Sequence, residues 1–231
     1  MRYYPVNLDV QNRACLVVGG GAVGFRKVDT LCACGADVTV VSPRIDTRLT
    51  ALADSRAIRV LQRPYRTGDL EGMFLVIGAT DDEVLNLTVK QDADGAGILC
   101  NIADRPEACH FILPAIVQRG DLIIAISTSG KSPAFAKKLR KKLEKEFGPE
   151  YGDFLKLMGA ARNRLLSREH EPEAHKPLFE RLIDGNLIEL IKQHRRQEIN
   201  TLLVDVLGEG FDYDSLMTAA PQSKKSASET G

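Results

Sequence analysis

Two rhythms of apolar and polar positions alternate along the first half of this chain, and each change of rhythm marks an element. Residues 14–18, Ala-Cys-Leu-Val-Val, are an unbroken apolar run, which predicts a central parallel strand covered on both faces. Beyond a cluster of glycines, residues 25–34 place Val28, Leu31 and Cys32 at helical spacing, and Gly35 supplies a helix end. Residues 37–41, 58–61, 74–79 and 98–102 repeat the strand signature, and residues 81–93 the helical one. A further short strand is expected at 6–10, closed by a turn at Gln11-Asn12-Arg13. Strands that alternate with helices predict an α/β fold built on a doubly wound parallel sheet.

The pattern changes near residue 111. Apolar runs at 111–117 and 122–126 flank Arg119-Gly120-Asp121 and predict an antiparallel β-hairpin. From Pro133 on, the periodicity is helical. Phe135, Leu139, Leu143 and Phe147 recur every four residues, with lysines and arginines on the other faces. Residues 150–166, 177–194 and 196–207 predict further helices. The expected division is a sheet domain over 1–113, a hairpin-and-helix region over 114–148, a small helical domain over 149–217 and a disordered tail over 218–231.

Composition narrows the classes. Lys plus Arg and Asp plus Glu both number 31 in 231 residues, so bulk charge gives no reason to expect nucleic acid as a partner. Five cysteines, an odd number and partly within apolar strands, suit buried thiols in a reducing compartment rather than a disulfide framework. Cys32-Ala33-Cys34 lacks the spacing of a zinc knuckle, and no metal site is expected. The N-terminus shows no signal-peptide pattern and no apolar run approaches the length of a membrane span, so the expected location is the cytoplasm, away from membranes.

The glycines carry the first chemistry. Gly19-Gly20-Gly21-Ala22-Val23-Gly24 follows a buried strand and opens a helix, the context in which such a loop binds a dinucleotide pyrophosphate in a Rossmann-type domain. Gly19 would allow the tight turn, Gly21 the approach of phosphate to backbone, and Gly24 the packing of helix on strand. The second strand ends Val41-Ser42-Pro43-Arg44, with no acid for the adenosine ribose before Asp46. Arg44 could instead face a 2′-phosphate, which leaves NAD and NADP open. Thr80 and Asp81 follow the fourth strand at the edge where ligands bind, and one of them is expected to cap the next helix. Asp104 closes the fifth strand at the same edge, placed to accept a proton while a hydride leaves, or else to serve a turn before Pro106.

The order of these blocks resembles the precorrin-2 dehydrogenase family, which includes the N-terminal half of siroheme synthase. The likeness runs through Val17 to Lys27, Gly35 to Pro43, Ala79-Thr80-Asp81-Asp82 with Asn86, Asn101 to Pro106, Phe111 to Pro114 and Ile126 to Pro133, over roughly residues 3–147. It implies NAD-dependent oxidation of precorrin-2 to sirohydrochlorin on the path to siroheme, and in some members insertion of ferrous iron into sirohydrochlorin. Asp104 would be the catalytic base, and Ala22, Val23, Pro43 and Arg44 fall at cofactor positions; the family's usual cofactor, NAD, tips the ambiguity left at Arg44. A tetrapyrrole bearing many carboxylates needs local positive groups. Arg105, Arg119 and Lys131 are candidates, with Ser127 and Gly130 in a loop near the substrate cleft. Ser132-Pro133 also suits a helix start. The family is dimeric through the region after the sheet domain, here the hairpin and the helix at 133–147. The methyltransferase half of the fused enzymes is not expected, so precorrin-2 would come from elsewhere. His110 is weighed as a packed side chain against a helper in metal insertion. Two other classes compete: a non-catalytic NAD(H)-sensing regulator, and a dehydrogenase of small acids or alcohols. The first would ordinarily carry a DNA-binding or membrane module, and the second leaves the blocks at 101–106 and 127–133 without a role.

Overall fold

The computed structural model describes residues 2–103, 105–168 and 175–218. Among them, β1 (Ala14–Val18), β2 (Asp37–Val41), β3 (Arg59–Leu61), β4 (Leu75–Gly78) and β5 (Leu99–Ile102) form one parallel sheet in the order β3-β2-β1-β4-β5. The order reverses between β1 and β4, which opens a crevice beyond their carboxyl ends. α1 (Ala22–Ala33), α2 (Thr47–Asp54) and α3 (Glu83–Ala96) connect the strands. β1 shows why its apolar run is unbroken. Cys15 and Val17 join Val38, Val40, Leu75 and Ile77 under Val28, Leu31 and Leu49 of α1 and α2. Leu16 and Val18 join Val41, Val76, Cys100 and Ile102 under Val89 and Ala93 of α3 on the opposite face.

Several local expectations are corrected. Residues 6–10 form no strand: Val6 and Leu8 are exposed, and only Val10 reaches the core before the Arg13 N–H closes a turn on its carbonyl. α1 starts at Ala22, three residues earlier than its apolar stripe, and ends at Ala33 with Cys34, not Gly35, as its cap; the Gly35 N–H just beyond donates to the Cys32 carbonyl. α2 was not foreseen; its signal is Asp46, whose carboxylate accepts from the Arg48 N–H just ahead of the buried Leu49. The cap of α3 is neither Thr80 nor Asp81. Asp82 holds that place and accepts from the Leu85 N–H at 3.0 Å.

The described residues divide into two compact units, one within Met1–Leu113 with Ser129–Lys131, the other within Pro114–Thr128 with Ser132–Gly231. In the second unit β6 (Ala115–Arg119) and β7 (Leu122–Ile126) form the hairpin, with Gly120 at φ +56 in the two-residue turn. Its first strand begins at Ala115, so residues 111–114 lie outside the ladder. α4 (Pro133–Glu146) is capped by Ser132, as the Ser-Pro pair suggests. It lays Ala136, Leu139 and Leu143 on the hairpin. Phe135 departs from the expected stripe and is 56% exposed, because positions four apart drift around a helix of 3.6 residues per turn.

α5 (Glu150–Arg168) buries Phe154, Leu157, Ala161 and Leu165 against α6 (Lys176–Asp184), α7 (Leu187–Lys192), α8 (Arg196–Leu207) and α9 (Tyr213–Thr218). The single helix expected over 177–194 is broken at Gly185-Asn186. A Cβ on Gly185 would lie 2.9 Å from Leu202, and Asn186 takes φ +62. α9 was not foreseen either. It takes in Thr218, and the remaining tail, 219–231, lies outside the described residues.

Two outcomes test this fold. Removing the true cap with Asp82→Ala should cost about 1 kcal/mol, whereas Asp81→Ala should stay within about 0.5 kcal/mol by thermal or urea unfolding. Burial raises the thiol of Cys15 to about 11 and that of Cys100 to about 12, while Cys34 is exposed. Mass-resolved alkylation of the native protein at neutral pH should therefore label Cys34 well before Cys15 and Cys100.

Candidate functional site

The carboxyl edge of the sheet gathers most of the residues singled out from sequence. β1 runs into Gly19, whose φ of +121 and whose contact with the next loop both exclude a side chain; a Cβ there would lie 2.3 Å from the Ala79 carbonyl oxygen. A Cβ on Gly24 would lie 2.0 Å from the Gly19 carbonyl oxygen. The first turn of α1 is thus seated directly on the end of β1. Gly21 differs, because no atom lies within 4 Å of where its Cβ would be.

That open position is the N-cap of α1, with no side-chain cap and no acid in the first turn. The first N–H groups of a helix lack intrahelical acceptors, and the helix dipole places partial positive charge there. Uncapped donors, exposed backbone at Gly21 and Ala22, and space in front of them fit a pyrophosphate. Val23 and Gly24 complete this turn.

Neighbouring loops frame the cradle. The Asp46 N–H donates to the Gly20 carbonyl at 2.8 Å, which fixes the exposed Pro43-Arg44 turn beside the glycines. Across the switch point, the Thr80 methyl would lie 3.2 Å from a Cβ on Gly19. Thr80 is held by Asn86: its hydroxyl donates to Asn86 Oδ1 at 2.9 Å, and Asn86 Nδ2 donates to the Thr80 carbonyl at 3.0 Å. Asp81 is exposed in the same turn. The shaping role of Asn86 went unread in the sequence, although a signal exists: an asparagine on the buried 86-89-93 stripe of α3 needs polar partners.

At the end of β5 the Ala103 N–H donates to the Gly78 carbonyl at 2.8 Å and the Arg105 N–H to that of Ile102 at 3.3 Å. Asp104 itself lies outside the described residues. Arg105 pairs with Glu83 at 2.5 Å, with both side chains partly or largely exposed. Gly130 comes to the same place, since a Cβ on it would lie 3.5 Å from Pro106, and Lys131 beside it is exposed.

The far edge of β5 is closed by side chains. The buried Asn101 donates to the Phe111 carbonyl at 2.9 Å, the Ile102 N–H donates to Cys109 Sγ at 3.1 Å, and the Cys100 N–H donates to His110 Nδ1 at 3.1 Å. His110 Nε2 meets Asp94 at 2.7 Å. The histidine is therefore built into the strand edge. Among the described residues no cluster of three or more His, Cys, Asp or Glu could hold a metal ion.

Arg119 and Ser127 belong to the second unit. The Arg119 guanidinium donates to the carbonyls of Phe147, Gln118 and Glu144 at 2.8, 2.8 and 2.9 Å, which ties the end of α4 to the hairpin. Ser127 is exposed at the end of β7, near Thr128, whose hydroxyl accepts from the Ser132 N–H at 3.1 Å.

Comparison with known proteins agrees with this geometry. An NAD(P)-binding family matches residues 6–115, and the family described as Sirohaem biosynthesis protein central matches residues 119–146. Siroheme synthase of Thioalkalivibrio sulfidiphilus is 38% identical over 92% of this chain and 43% of its own length. That of Methylococcus capsulatus is 36% identical over 89% of this chain and 43% of its own. The solved structure of SirC, a precorrin-2 dehydrogenase, has a TM-score of 0.73 and 29% identity, covering 86% of this chain and 100% of that one. The chain is thus similar to a precorrin-2 dehydrogenase and to part of siroheme synthase. It spans less than half the length of these siroheme synthases. The NAD(P)-binding match over residues 6–115 supports a nicotinamide cofactor, and it takes in the glycine loop.

The two glycines make separable predictions. Gly21→Ala should fold with a loss of about 1 kcal/mol or less, yet weaken NADH binding at least about tenfold by intruding on the phosphate. Gly24→Ala should instead lower stability by several kcal/mol, since backbone must move. Thermal unfolding and NADH fluorescence titration check both.

Proposed function

We propose that this chain oxidises precorrin-2 to sirohydrochlorin with NAD, as a cytoplasmic homodimer serving siroheme formation. The observation that carries the reading is one sheet edge holding both an uncapped helix N-terminus at Gly21 and the residues Ala103, Arg105 and Pro106 beyond β5, met by Gly130. The first suits a dinucleotide and the second the reacting carbon of a large substrate.

NAD, when bound, accepts the hydride. The protein's own work is to orient and to manage a proton. Gly21, Ala22 and Val23 would hold the pyrophosphate through backbone N–H groups. Thr80, fixed by Asn86, and Asp81 would line the crevice towards the nicotinamide end. Asp104, which follows β5 in the sequence, would take the proton released as the macrocycle loses a hydride. Arg105 can exchange its exposed partner Glu83 for a substrate carboxylate at little cost, because exposed ion pairs contribute only about 0–1 kcal/mol. Lys131 adds positive charge beside Gly130. Arg119, with its N–H groups turned to main-chain carbonyls, would act by holding hairpin to helix.

The homodimer draws support from the hairpin. Its face away from α4 exposes Ile116 at 41% and Ile123 at 51%, and two strands alone are marginal without further cover. Among the described residues no helix is long and apolar enough to cross a membrane.

The test is anaerobic incubation with precorrin-2 and NAD, following NADH absorbance and the sirohydrochlorin spectrum together. Both should rise in step, and Asp104→Asn should slow them by about 10²–10⁴-fold. A protein that binds NADH yet produces neither signal would refute the activity. Adding ferrous iron to sirohydrochlorin in a separate vessel measures metal insertion, with iron as substrate.

A further inference from the structure

The carboxyl end of β2 departs from a site built for NAD alone. Rossmann domains read the unphosphorylated adenosine ribose with an acid at this place, and an arginine there accommodates a 2′-phosphate. Here β2 ends at Val41, followed by Ser42, Pro43 and Arg44. The buried Ser42 hydroxyl donates to the Arg44 carbonyl at 2.8 Å, so it stiffens the turn instead of facing a ligand.

The carboxylates nearby are already engaged. Asp46 accepts from the Arg48 N–H at 3.0 Å and from its guanidinium at 2.9 and 2.7 Å, which pulls its carboxyl down to about 2. Arg48 in turn stacks on Phe25 at 4.2 Å, and its charge is answered by Asp46. Beyond β3, Asp69 is clasped by Arg63 at 2.9 and 2.6 Å and accepts from the Arg66 N–H at 2.9 Å.

Arg44 stands apart. Its side chain is exposed and, among the described residues, has no carboxylate partner. Its backbone is nonetheless fixed against the pyrophosphate loop: a Cβ on Gly20 would lie 2.3 Å from the Arg44 carbonyl oxygen. A rigid backbone beside the loop thus carries an unanswered guanidinium, the group best suited to a phosphate.

We propose that the site accepts the 2′-phosphorylated dinucleotide NADP(H) as well as NAD(H), and that Arg44 is the residue that receives the 2′-phosphate. The proposal rests on the dinucleotide site argued above and adds breadth of cofactor use to it. No acid ends β2, the charge of Asp46 is answered by Arg48, and Arg44 supplies attraction for the phosphate.

Fluorescence titration with NADH and with NADPH, at equal ionic strength, tests this without any tetrapyrrole. The NADPH dissociation constant should lie within about tenfold of that for NADH, and Arg44→Glu should move the ratio of the two at least about tenfold towards NADH. Arg44→Lys should retain part of the NADPH affinity, as a point charge without the fork. An NADPH constant more than about tenfold above that for NADH in the unaltered protein, or a ratio that Arg44→Glu moves by less than about tenfold, overturns the proposal. If neither nucleotide binds, the dinucleotide site itself is refuted, and this inference falls with it.

Discussion

The contact between Gly24 and the Gly19 carbonyl oxygen sets the rest of this molecule's first unit. With no side chain at Gly24, only three residues separate the start of α1 from the end of β1, and the helix's first N–H groups open onto the crevice. Any side chain there would lift the helix from the strand, and the donors would no longer converge. Gly19 adds the second half of the constraint, bringing the chain against Ala79 so that the β1 and β4 ends share one wall. The sheet core of Val17, Val40 and Ile77 on one face and Leu16, Val41 and Val76 on the other makes that wall stiff.

The other loops respond to that fixed centre. Gly20 is tied to Asp46, so the turn carrying Arg44 cannot swing away. Asn86 reaches from α3 to set Thr80. At β5, an edge strand whose unpaired groups would otherwise invite pairing with another chain, Asn101, Cys109 and His110 bond within the chain and tie residues 109–111 to the strand. The buried Asn86 and Asn101 therefore do geometric work near the site, and their hydrogen bonds account for their burial.

Much of this was legible in the sequence because its physics is local. An apolar run of five residues followed by a glycine cluster and a helical stripe has few alternatives: β1 and the loop appear where it places them, and α1 follows with its start three residues earlier. Where tertiary contacts decide, the sequence was less informative. Val6 and Leu8 alternate like a strand but find no ladder, and Gly185-Asn186 splits an apparently continuous helix because Leu202 packs against it. The cap of α3 shifts to Asp82 because Thr80 is drawn to Asn86, a partner six residues away that propensity does not reveal. Arg119 read as a candidate substrate cation; its geometry, with three carbonyls around one guanidinium, emerges only when hairpin and α4 are folded together.

The central claim is that backbone donors at the start of α1 hold the dinucleotide beside the β4 and β5 ends. Hydrogen–deuterium exchange with and without saturating NADH tests it most directly, because it reports on those amides themselves. Slowed exchange in peptides spanning residues 19–25 and 79–86, with the α5–α9 helices unchanged, is the predicted result. Protection confined to other segments, with the glycine loop exchanging as fast as in the free protein, would contradict it.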